Sequence, residues 1–355
     1  MALEDQVREL AGEVRPPDEA AANAARERHA RLAKPPGSLG SLEELGAWLS
    51  GMSGEVPPPL LESPAVVVSA GDHGVLERGV SPWPKEVTAT MVENFCAGGA
   101  AVNVLARTVG VRLSVLDVGV AADLKRHPLL RTAKKKAGTD DISRGVAMSR
   151  EEAAGAMMSG AGIAEELIES GVDLLVTGDM GIGNTTPAAA LISTFTGRPP
   201  GETTGRGTGI GDETHELKVR VVEEALELHE PDLHDPLGVL AALGGLEHAA
   251  IAGLVLIGAA YGVPVVLDGV VSNSAALMAH ALAPDCTGYL IAGHLSVEPG
   301  AAVALESLGL EPILDLKMRL GEGTGGLLAV PIVQAAARVL GEMATMREAG
   351  VGCAP

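Results

Sequence analysis

The sequence predicts an α/β fold in which a parallel sheet carries helices on both faces. Short aliphatic runs alternate along the chain with longer helix-like segments, and this alternation is typical of parallel βαβ units. The first run, residues 65–70 (AVVVSA), is centred on three valines, as expected for a strand buried on both faces. Because sheets of this kind bind ligands outside the carboxyl ends of their strands, the segments that follow each strand are candidate sites.

The composition favours a large aliphatic core and an anionic surface. The chain has 355 residues, of which 46% are hydrophobic and 2% aromatic, and its net charge is −20. This length favours one large domain with a smaller one. The negative charge argues against nucleic acid and anionic membranes as partners, and the scarcity of aromatic residues argues against base-stacking surfaces.

The chain lacks the patterns of a secreted or membrane protein. No apolar run is expected to span a membrane, since the closest, residues 239–260, is interrupted by Glu247 and His248. The N-terminus has no apolar core of a secretion signal. The cysteines are widely spaced without a C-x-x-C pair, which predicts a cytoplasmic protein with neither a disulfide framework nor a zinc site. These cysteines are Cys96, Cys286 and Cys353.

The first sixty residues are predicted to be helical. Helices are expected over 3–14 and 18–33, and the second ends near Pro35 because proline removes a backbone donor. A third helix begins at Ser41, since Ser41 and Glu44 have the spacing of a capping box. Three consecutive prolines from Pro57 then mark a boundary with the main domain.

The main domain continues as alternating strands and helices. The predicted strands are 65–70, 112–118, 172–177, 264–267 and 289–292, with a sixth candidate at 313–316. The predicted helices are 84–107, 149–169, 213–228 and 236–260. Glycine and polar residues follow most strands, so we expect one group of polar side chains to gather along the carboxyl edge. This group comprises Asp72, His73, Asp117, Asp179, Asp268, His294 and Glu322.

The segment 178–187 (GDMGIGNTTP) is the most informative loop. Thr185 or Thr186 can cap the following helix, and Pro187 suits its first turn. Free N–H groups at a helix N-terminus bind phosphate. The segment matches neither a Walker A loop nor G-x-G-x-x-G, so phosphate binding and a tight structural turn both remain open at this point.

Two further segments have two interpretations each. The loop 205–209 (GRGTG), followed by a helix with Lys218, is either a flexible crossover or a second source of N–H groups and a cation for one phosphate. Trp83 lies between two prolines, which makes it either the wall of a pocket for a flat aromatic substrate or a hydrophobic plug.

Candidate polar residues are similarly ambiguous when each is considered alone. Glu322 lies between two glycines, which suits either an exposed turn or a carboxylate at the mouth of a pocket. Asp72 and His73 suggest a metal or a charge relay. However, no second histidine lies at ligand spacing and no serine occupies a nucleophile elbow, so hydrogen bonds that order the loop are favoured.

Taken together, the motifs resemble the nicotinate-nucleotide–dimethylbenzimidazole phosphoribosyltransferase family. They occur in the family's order and cover nearly the whole chain. The most specific are KPPGSLG (34–40), GIGNTTPAAA (181–190) and RLGEGTG (319–325). The others are AGDHGV (70–75), GVSPWPKEVTATMV (79–92), DVGV (117–120), GRGTG (205–209), VVLDGVVSNSAAL (265–277) and AGHLSVEPG (292–300).

The resemblance implies a reaction and an architecture. A phosphoribosyl group would move from nicotinate mononucleotide to 5,6-dimethylbenzimidazole, with inversion at C1′ and without a metal or other cofactor. The implied protein is a homodimer with a Rossmann-like large domain and a small helical domain built from both chain ends. We therefore expect residues 1–60 in the small domain, 61–300 in the large domain, and 301–355 as the active-site loop and the rest of the small domain.

The resemblance also assigns residues to roles. Glu322 matches the family's general base, and Asp179 matches a second acidic position at which members often have Glu. Four residues match positions around the phosphate and the nucleotide: Gly181, Gly207, Lys218 and Ser296. Three match the benzimidazole pocket: Trp83, Met91 and Leu320. Further expected substrate contacts are Met180, Asn184, Thr185, His294, Gly321 and Gly323.

The implied chemistry suits a carboxylate base. A benzimidazole nitrogen that attacks C1′ while the ring keeps its N–H proton becomes cationic, and a carboxylate in a water-poor pocket can remove that proton. Two alternatives stay open. One is an oxidoreductase with a nucleotide cofactor, although the first strand is not followed by G-x-G-x-x-G; the other is a protein that binds a nucleotide or base without turnover.

Overall fold

The computed structural model describes residues 2–351, so Cys353 lies outside the described residues. This part of the chain contains one six-stranded sheet in the order β3-β2-β1-β4-β5-β6, with every neighbouring pair parallel. The strands are β1 (Pro64–Gly71), β2 (Arg112–Gly119), β3 (Leu130–Thr132), β4 (Leu174–Met180), β5 (Val265–Leu267) and β6 (Leu290–Ala292). The order in which successive strands are added to the sheet reverses between β1 and β4, and a ligand crevice is expected at this topological switch point. The predicted α/β fold class is confirmed.

Helices cover both faces of the sheet. They are α1 (Leu3–Glu13), α2 (Glu19–His29), α3 (Ser41–Ser53), α4 (Glu86–Ala97), α5 (Ala101–Val109), α6 (Arg150–Glu169), α7 (Thr185–Thr196), α8 (Pro200–Thr203), α9 (Asp212–His229), α10 (Pro236–Leu243), α11 (Leu246–Ala260), α12 (Val270–Leu282), α13 (Pro299–Leu308) and α14 (Thr324–Glu342). Short 3₁₀ turns occur at Gly74–Arg78 and Pro284–Tyr289.

Two predicted helices are each divided in two by glycines. The predicted helix 84–107 ends first at Gly98, whose φ of 82° terminates α4 before α5 begins. The predicted helix 236–260 is interrupted at Gly244 and Gly245, which are both extended. Apolar periodicity continues across both breaks, so it did not reveal them.

Two strand predictions were wrong. Residues 313–316 form no strand, because their only β-pairing is an isolated parallel bridge between Leu314 and His294. The sixth strand is instead β3, whose Arg131 and Thr132 are exposed and give no apolar signal. In addition, β4 extends to Met180, so the predicted loop residues Gly178 and Asp179 belong to a strand.

Two capping predictions were also wrong. The N-cap of α3 is Gly40, and the carboxylate that reaches back is that of Glu43, whose Oε1 accepts from the N–H of Leu39 at 3.0 Å. The N-cap of α7 is Asn184, without a side-chain cap, although Pro187 does lie in its first turn.

The core is aliphatic and closely packed. All eight residues of β1 are buried. On one face of the sheet, α6 and α11 touch backbone to backbone, since a Cβ at Gly160 would lie 1.8 Å from the carbonyl oxygen of Ala250. A Cβ at Gly253 would lie 1.9 Å from the carbonyl oxygen of Met157. In a chain with few aromatic residues, glycines allow the helices to approach closely enough to fill this part of the interior.

Among the described residues, one helix is long and apolar enough to cross a membrane by length and composition alone. It is α14, with 19 residues and a mean hydropathy of 1.3, and 56% of this stretch is buried inside the protein. It packs on α3, α5, β4 and β5. Because a buried core helix has the same composition, these features give only weak support for a membrane span.

The segment at the end of α2 lies against the C-terminal segment of the described chain. The N–H of Ala33 donates to the carbonyl of Ala344 at 2.9 Å, and the N–H of Met346 donates to that of Arg31 at 2.9 Å. Arg28 Nε also donates to the carbonyl of Leu340 at 2.7 Å. The domain bounds at residues 60 and 300 stay a prediction.

Candidate active site

A cavity of about 450 Å³ opens at the carboxyl edge of the sheet. Most residues selected from the sequence line it, although they come from distant segments. These are Trp83, Met91, Asp179, Met180, Gly181, Asn184, Thr185, Gly207, Lys218, His294, Ser296, Leu320, Gly321 and Glu322. Gly323 does not line the cavity. It lies behind the wall as the N-cap of α14.

Glu322 occupies a turn that glycines make possible. Its φ is 63°, and the flanking Gly321 and Gly323 have φ values of 82° and 86°. A Cβ at Gly323 would lie 2.9 Å from Val66 Cγ2, so glycine is required for this close approach to β1. The Glu322 side chain is therefore carried into the cavity by a backbone conformation that is uncommon for non-glycine residues.

The carboxyl group of Glu322 is buried at the start of a helix. Its residue is 4% exposed, and Oε2 accepts from the backbone N–H of Val102, in the first turn of α5, at 3.4 Å. Burial raises the pKa of Glu322, the Val102 N–H opposes this rise, and the charge of Asp268 adds to it. This residue has the environment that a carboxylate base needs.

Asp179 is a second acidic group in the cavity wall. Burial raises its pKa to about 8, with further contributions from the charges of Asp268, Glu247 and Glu322. The amide of Asn184 opposes the rise, since its Nδ2 donates to Asp179 Oδ2 at 2.8 Å. At neutral pH the Asp179 carboxyl is therefore mostly protonated and can donate a hydrogen bond.

One side of the cavity has the features of an anion site. The loop 181–184 leads into α7, whose first N–H groups have no side-chain cap. Lys218, from α9, is buried beside it and donates from Nζ to Thr185 Oγ1 at 2.7 Å and to the carbonyl of Gly205 at 3.2 Å. Burial lowers the pKa of Lys218 to about 8, while the charge of Glu298 opposes this change.

Sequence reasoning missed Glu298 and Arg319 on this side. Glu298 Oε1 accepts from the N–H of Gly207 at 2.7 Å, and Arg319 Nη1 donates to the carbonyl of Gly207 at 2.8 Å. Both residues lie in segments that carry the family resemblance. Their partner is a backbone group more than ninety residues away along the chain, which no local pattern reveals.

The other side of the cavity is apolar and open. Trp83 is 51% exposed and Leu320 is 58% exposed, and both face the cavity with the half-buried Met91. Large apolar side chains that stay exposed in this way mark binding surfaces. A flat aromatic ligand would cover them.

Several polar residues of the carboxyl edge order loops instead of lining the cavity. Asp72 Oδ2 accepts from the N–H of Ala121 at 2.7 Å, and Asp117 Oδ1 accepts from that of Val120 at 2.9 Å. Asp268 likewise accepts from backbone N–H groups, near Glu322. Asp72 thus has the loop-ordering role that the sequence favoured.

A buried cluster lies beside this edge. His73 Nε2 and Glu247 Oε1 are 2.7 Å apart, and His248 Nδ1 lies 2.9 Å from the same oxygen. Burial opposes charge on His73, but the Glu247 carboxylate raises the pKa of His73. The three donors are close enough to hold a metal ion, a grouping that sequence spacing did not show. The short His73–Glu247 contact is that of a hydrogen-bonded ion pair, which satisfies His73 Nε2 and Glu247 Oε1. The other oxygen of Glu247, His73 Nδ1 and both ring nitrogens of His248 are buried without a hydrogen-bond partner among the described residues.

Comparisons with known proteins agree with this geometry. The family model described as phosphoribosyltransferase matches residues 14–351. The nicotinate-nucleotide–dimethylbenzimidazole phosphoribosyltransferase of Salinispora tropica is 55% identical over 350 residues, which cover 95% of this chain and 96% of the relative. That of Chloroflexus aggregans is 55% identical over 336 residues, which cover 95% of each chain.

A solved structure shows the same likeness in three dimensions. The crystal structure of this phosphoribosyltransferase from Thermus thermophilus has a TM-score of 0.91 and 47% identity to the chain. The match covers 95% of this chain and all of the crystallised one, 100%. The chain therefore belongs to the nicotinate-nucleotide–dimethylbenzimidazole phosphoribosyltransferase family.

Proposed function

We propose that the chain transfers the 5-phosphoribosyl group of nicotinate mononucleotide to 5,6-dimethylbenzimidazole, giving α-ribazole 5′-phosphate and nicotinate. One observation carries this function. A single cavity joins the buried carboxylate of Glu322 to an anion-binding side around Lys218 and to an apolar side at Trp83. The two substrates need these three features together, because one is a phosphate ester and the other a flat apolar base.

Glu322 acts as the general base. Its carboxylate takes the N–H proton of the benzimidazole while the other ring nitrogen forms the new bond to C1′. The C1′–N bond to nicotinate breaks, and its electron pair neutralises the pyridinium, so the leaving group needs no acid. The raised pKa of Glu322 makes it a stronger base than an exposed carboxylate.

The donor nucleotide lies on the anion-binding side. Lys218 and the N–H groups near Gly181 hold the phosphate, with Ser296 and Gly207 beside it. Because Glu298 already accepts from the Gly207 N–H, a phosphate reaches that group only if the Glu298 carboxylate moves aside. Other proposed contacts in the cavity wall are Met180, Asn184, Thr185, His294 and Gly321.

Asp179 assists as a neutral acid in this scheme. Its protonated carboxyl donates a hydrogen bond to the ribose or to the bound base, in a cavity that already holds the Glu322 carboxylate. The acceptor base lies between Trp83, Met91 and Leu320, whose exposed apolar surface it covers.

The proposed working form is a cytoplasmic homodimer without a metal or other cofactor. The cysteine pattern supports the cytoplasmic location and the absence of a zinc site, and the family resemblance supports the homodimer and the absence of a cofactor. Residues 1–60 and 301–355 would build the small domain, and 61–300 the large one. Light scattering coupled to size-exclusion chromatography measures the oligomer: a mass of twice 36.0 kDa supports the dimer, and a monomer contradicts it.

An acceptor panel tests the function. Purified protein is incubated with nicotinate mononucleotide and a set of benzimidazoles, adenine and phenols, and products are identified by mass spectrometry. We expect α-ribazole 5′-phosphate from dimethylbenzimidazole. A thermal shift with the substrates but no product with any acceptor would favour a binding protein, and NAD(P)H binding would favour the oxidoreductase.

A further inference from the structure

We propose that Asp268, which lies behind the cavity wall, is a positioning residue that fixes the conformation and the electrostatic environment of Glu322. The inference rests on the proposed function, in which Glu322 is the base. Asp268 follows directly after β5, is 1% exposed and does not line the cavity. Its side chain nevertheless contacts the backbone just after Glu322.

The carboxylate of Asp268 caps the helix that begins after Glu322. Oδ2 accepts from the N–H of Gly323 at 3.1 Å, and Oδ1 accepts from those of Gly325 at 2.7 Å and Gly326 at 3.0 Å. These N–H groups belong to the N-cap and first turn of α14, which have no partners within the helix. Gly323 has no side chain to cap them, so the segment that follows β5 supplies the carboxylate.

Glycines bring these N–H groups within reach. A Cβ at Gly325 would lie 1.9 Å from His294 Cδ2, and a Cβ at Gly326 would lie 2.8 Å from Val176 Cγ1. The start of α14 is thus pressed against the sheet. Side chains at these positions would push it away from Asp268.

The turn that carries Glu322 is held on both sides. On one side, the N–H of Glu322 itself donates to the backbone carbonyl of Asp179 at 3.2 Å. On the other side, the carboxylate of Asp268 accepts from the N–H of Gly323. The φ of 63° at Glu322 is a strained conformation for a non-glycine residue, and such strain persists only where the surroundings enforce it.

Asp268 is itself fixed by its neighbours. Its N–H donates to Thr177 Oγ1 at 3.1 Å, and that hydroxyl lies 2.8 Å from Ser272 Oγ. His294 Nε2 lies 3.5 Å from Asp268 Oδ1. Asp268 therefore follows β5 and is connected through Thr177 to β4 and α12. These contacts leave its carboxylate little freedom, so Asp268 can fix the position of Glu322.

The charge of Asp268 acts on Glu322 as well. The groups that face this region are the carboxyls of Asp268 and Asp179, the ring of His294, and the N–H of Val102. After burial and the opposing Val102 N–H, the charge of Asp268 contributes to the raised pKa of Glu322. Removal of this charge should lower that pKa.

The Asp268→Asn variant tests the proposal. Asn keeps the size and one acceptor oxygen but loses the charge and the second acceptor. We expect kcat to fall on the order of 10- to 100-fold with little change in KM, since misplacement of a catalytic group has effects of this size. The acid limb of kcat/KM, which reports the base of the free enzyme, should move to lower pH.

A matched control separates this role from simple capping. Asp18 caps α2 by accepting from the N–H groups of Ala20 and Ala21, outside the cavity. Asp18→Ala removes this cap, so it should lower the thermal stability and leave both kcat and the acid limb unchanged. If Asp268→Asn also leaves both unchanged, the proposal is overturned. Absence of product with the wild-type protein would instead contradict the proposed function.

A second variant covers the case in which Asp268→Asn does not fold. Thr177→Val keeps the charge of Asp268 but removes the hydroxyl that receives its N–H. We expect a lower kcat, an unchanged KM and an unmoved acid limb. A wild-type kcat in Thr177→Val would overturn the positioning role.

Discussion

The backbone N–H of Glu322 donates a hydrogen bond to the backbone carbonyl of Asp179 at 3.2 Å. The two acidic residues of the cavity are thereby joined through their main chains, although one belongs to β4 and the other precedes α14. A Cβ at Gly321 would lie 3.2 Å from Asp179 Oδ2, so the turn also lies against the Asp179 side chain. A change at either residue should therefore affect the other.

Glu322→Gln should reduce turnover far more than substrate binding. Gln fills the same space but cannot accept the benzimidazole proton, and positioned proton transfer contributes about 10²- to 10⁴-fold. Steady-state assays give kcat, and calorimetry gives the affinity for nicotinate mononucleotide. Glu306→Gln, at an exposed carboxylate that pairs with Arg198, is the control. Near-wild-type turnover of Glu322→Gln would exclude this residue as the base.

Asp179→Asn should stabilise the protein increasingly as the pH rises. The pKa of Asp179 is about 8 in the fold against an ordinary value of 3.8, so folding favours the protonated form. Its contribution to stability is full below the unfolded pKa and is lost as the pH rises through about 8. The Tm difference between variant and wild type should therefore grow from about pH 5 to about pH 9. The exposed Asp123→Asn is the control, and a constant difference would contradict the prediction.

Lys218→Gln should weaken nucleotide binding and abolish the fall in affinity that the wild type shows at alkaline pH. Charge-assisted hydrogen bonds contribute about 1.5–3 kcal/mol, which corresponds to about 10- to 100-fold in Kd. Because the pKa of Lys218 is about 8, wild-type affinity should fall as the pH rises through that value. Calorimetric titration with nicotinate mononucleotide measures both effects. Lys125→Gln, at an exposed lysine, should bind like wild type; equal affinity in Lys218→Gln would show that the cation does not bind the phosphate.

Gly181→Ala should disturb the anion-binding loop. A Cβ there would lie 2.4 Å from the backbone carbonyl oxygen of Gly71 and 3.1 Å from Nε2 of the buried His73 side chain, so the loop has to move. We expect a lower Tm and a nucleotide affinity at least about tenfold weaker, as for one lost charge-assisted bond. Gly211→Ala is the matched control, because a Cβ at Gly211 meets nothing within 4 Å and its φ is −73°. Equal effects of the two substitutions would refute the steric argument.

Sequence patterns located the apolar strands, including the edge strand β6, but missed the other edge strand, β3. β1 and β2 are apolar enough to be recognised alone, whereas β3 has exposed Arg131 and Thr132 and is defined only by its pairing with β2. The glycine breaks at Gly98 and Gly244 depend on backbone angles, which apolar periodicity does not encode.

The candidate site divides in the same way. Residues within motifs, such as Glu322 and Lys218, could be selected from the sequence because their residue types suit the chemistry. Asp268 and Glu298 could not be assigned their contacts, because both bind backbone N–H groups of remote loops. The cluster of His73 with Glu247 was equally hidden, since only the fold brings the two together.

The position of Glu322 immediately before α14 has a mechanical consequence. This helix has 19 residues and is about 28 Å long, and near its far end the carbonyl of Leu340 accepts from Arg28 Nε. The turn that holds the base is therefore continuous with a helix that packs on α3 and α5 as well as on the sheet. A substitution that shifts this packing would move Glu322 without changing any residue of the cavity.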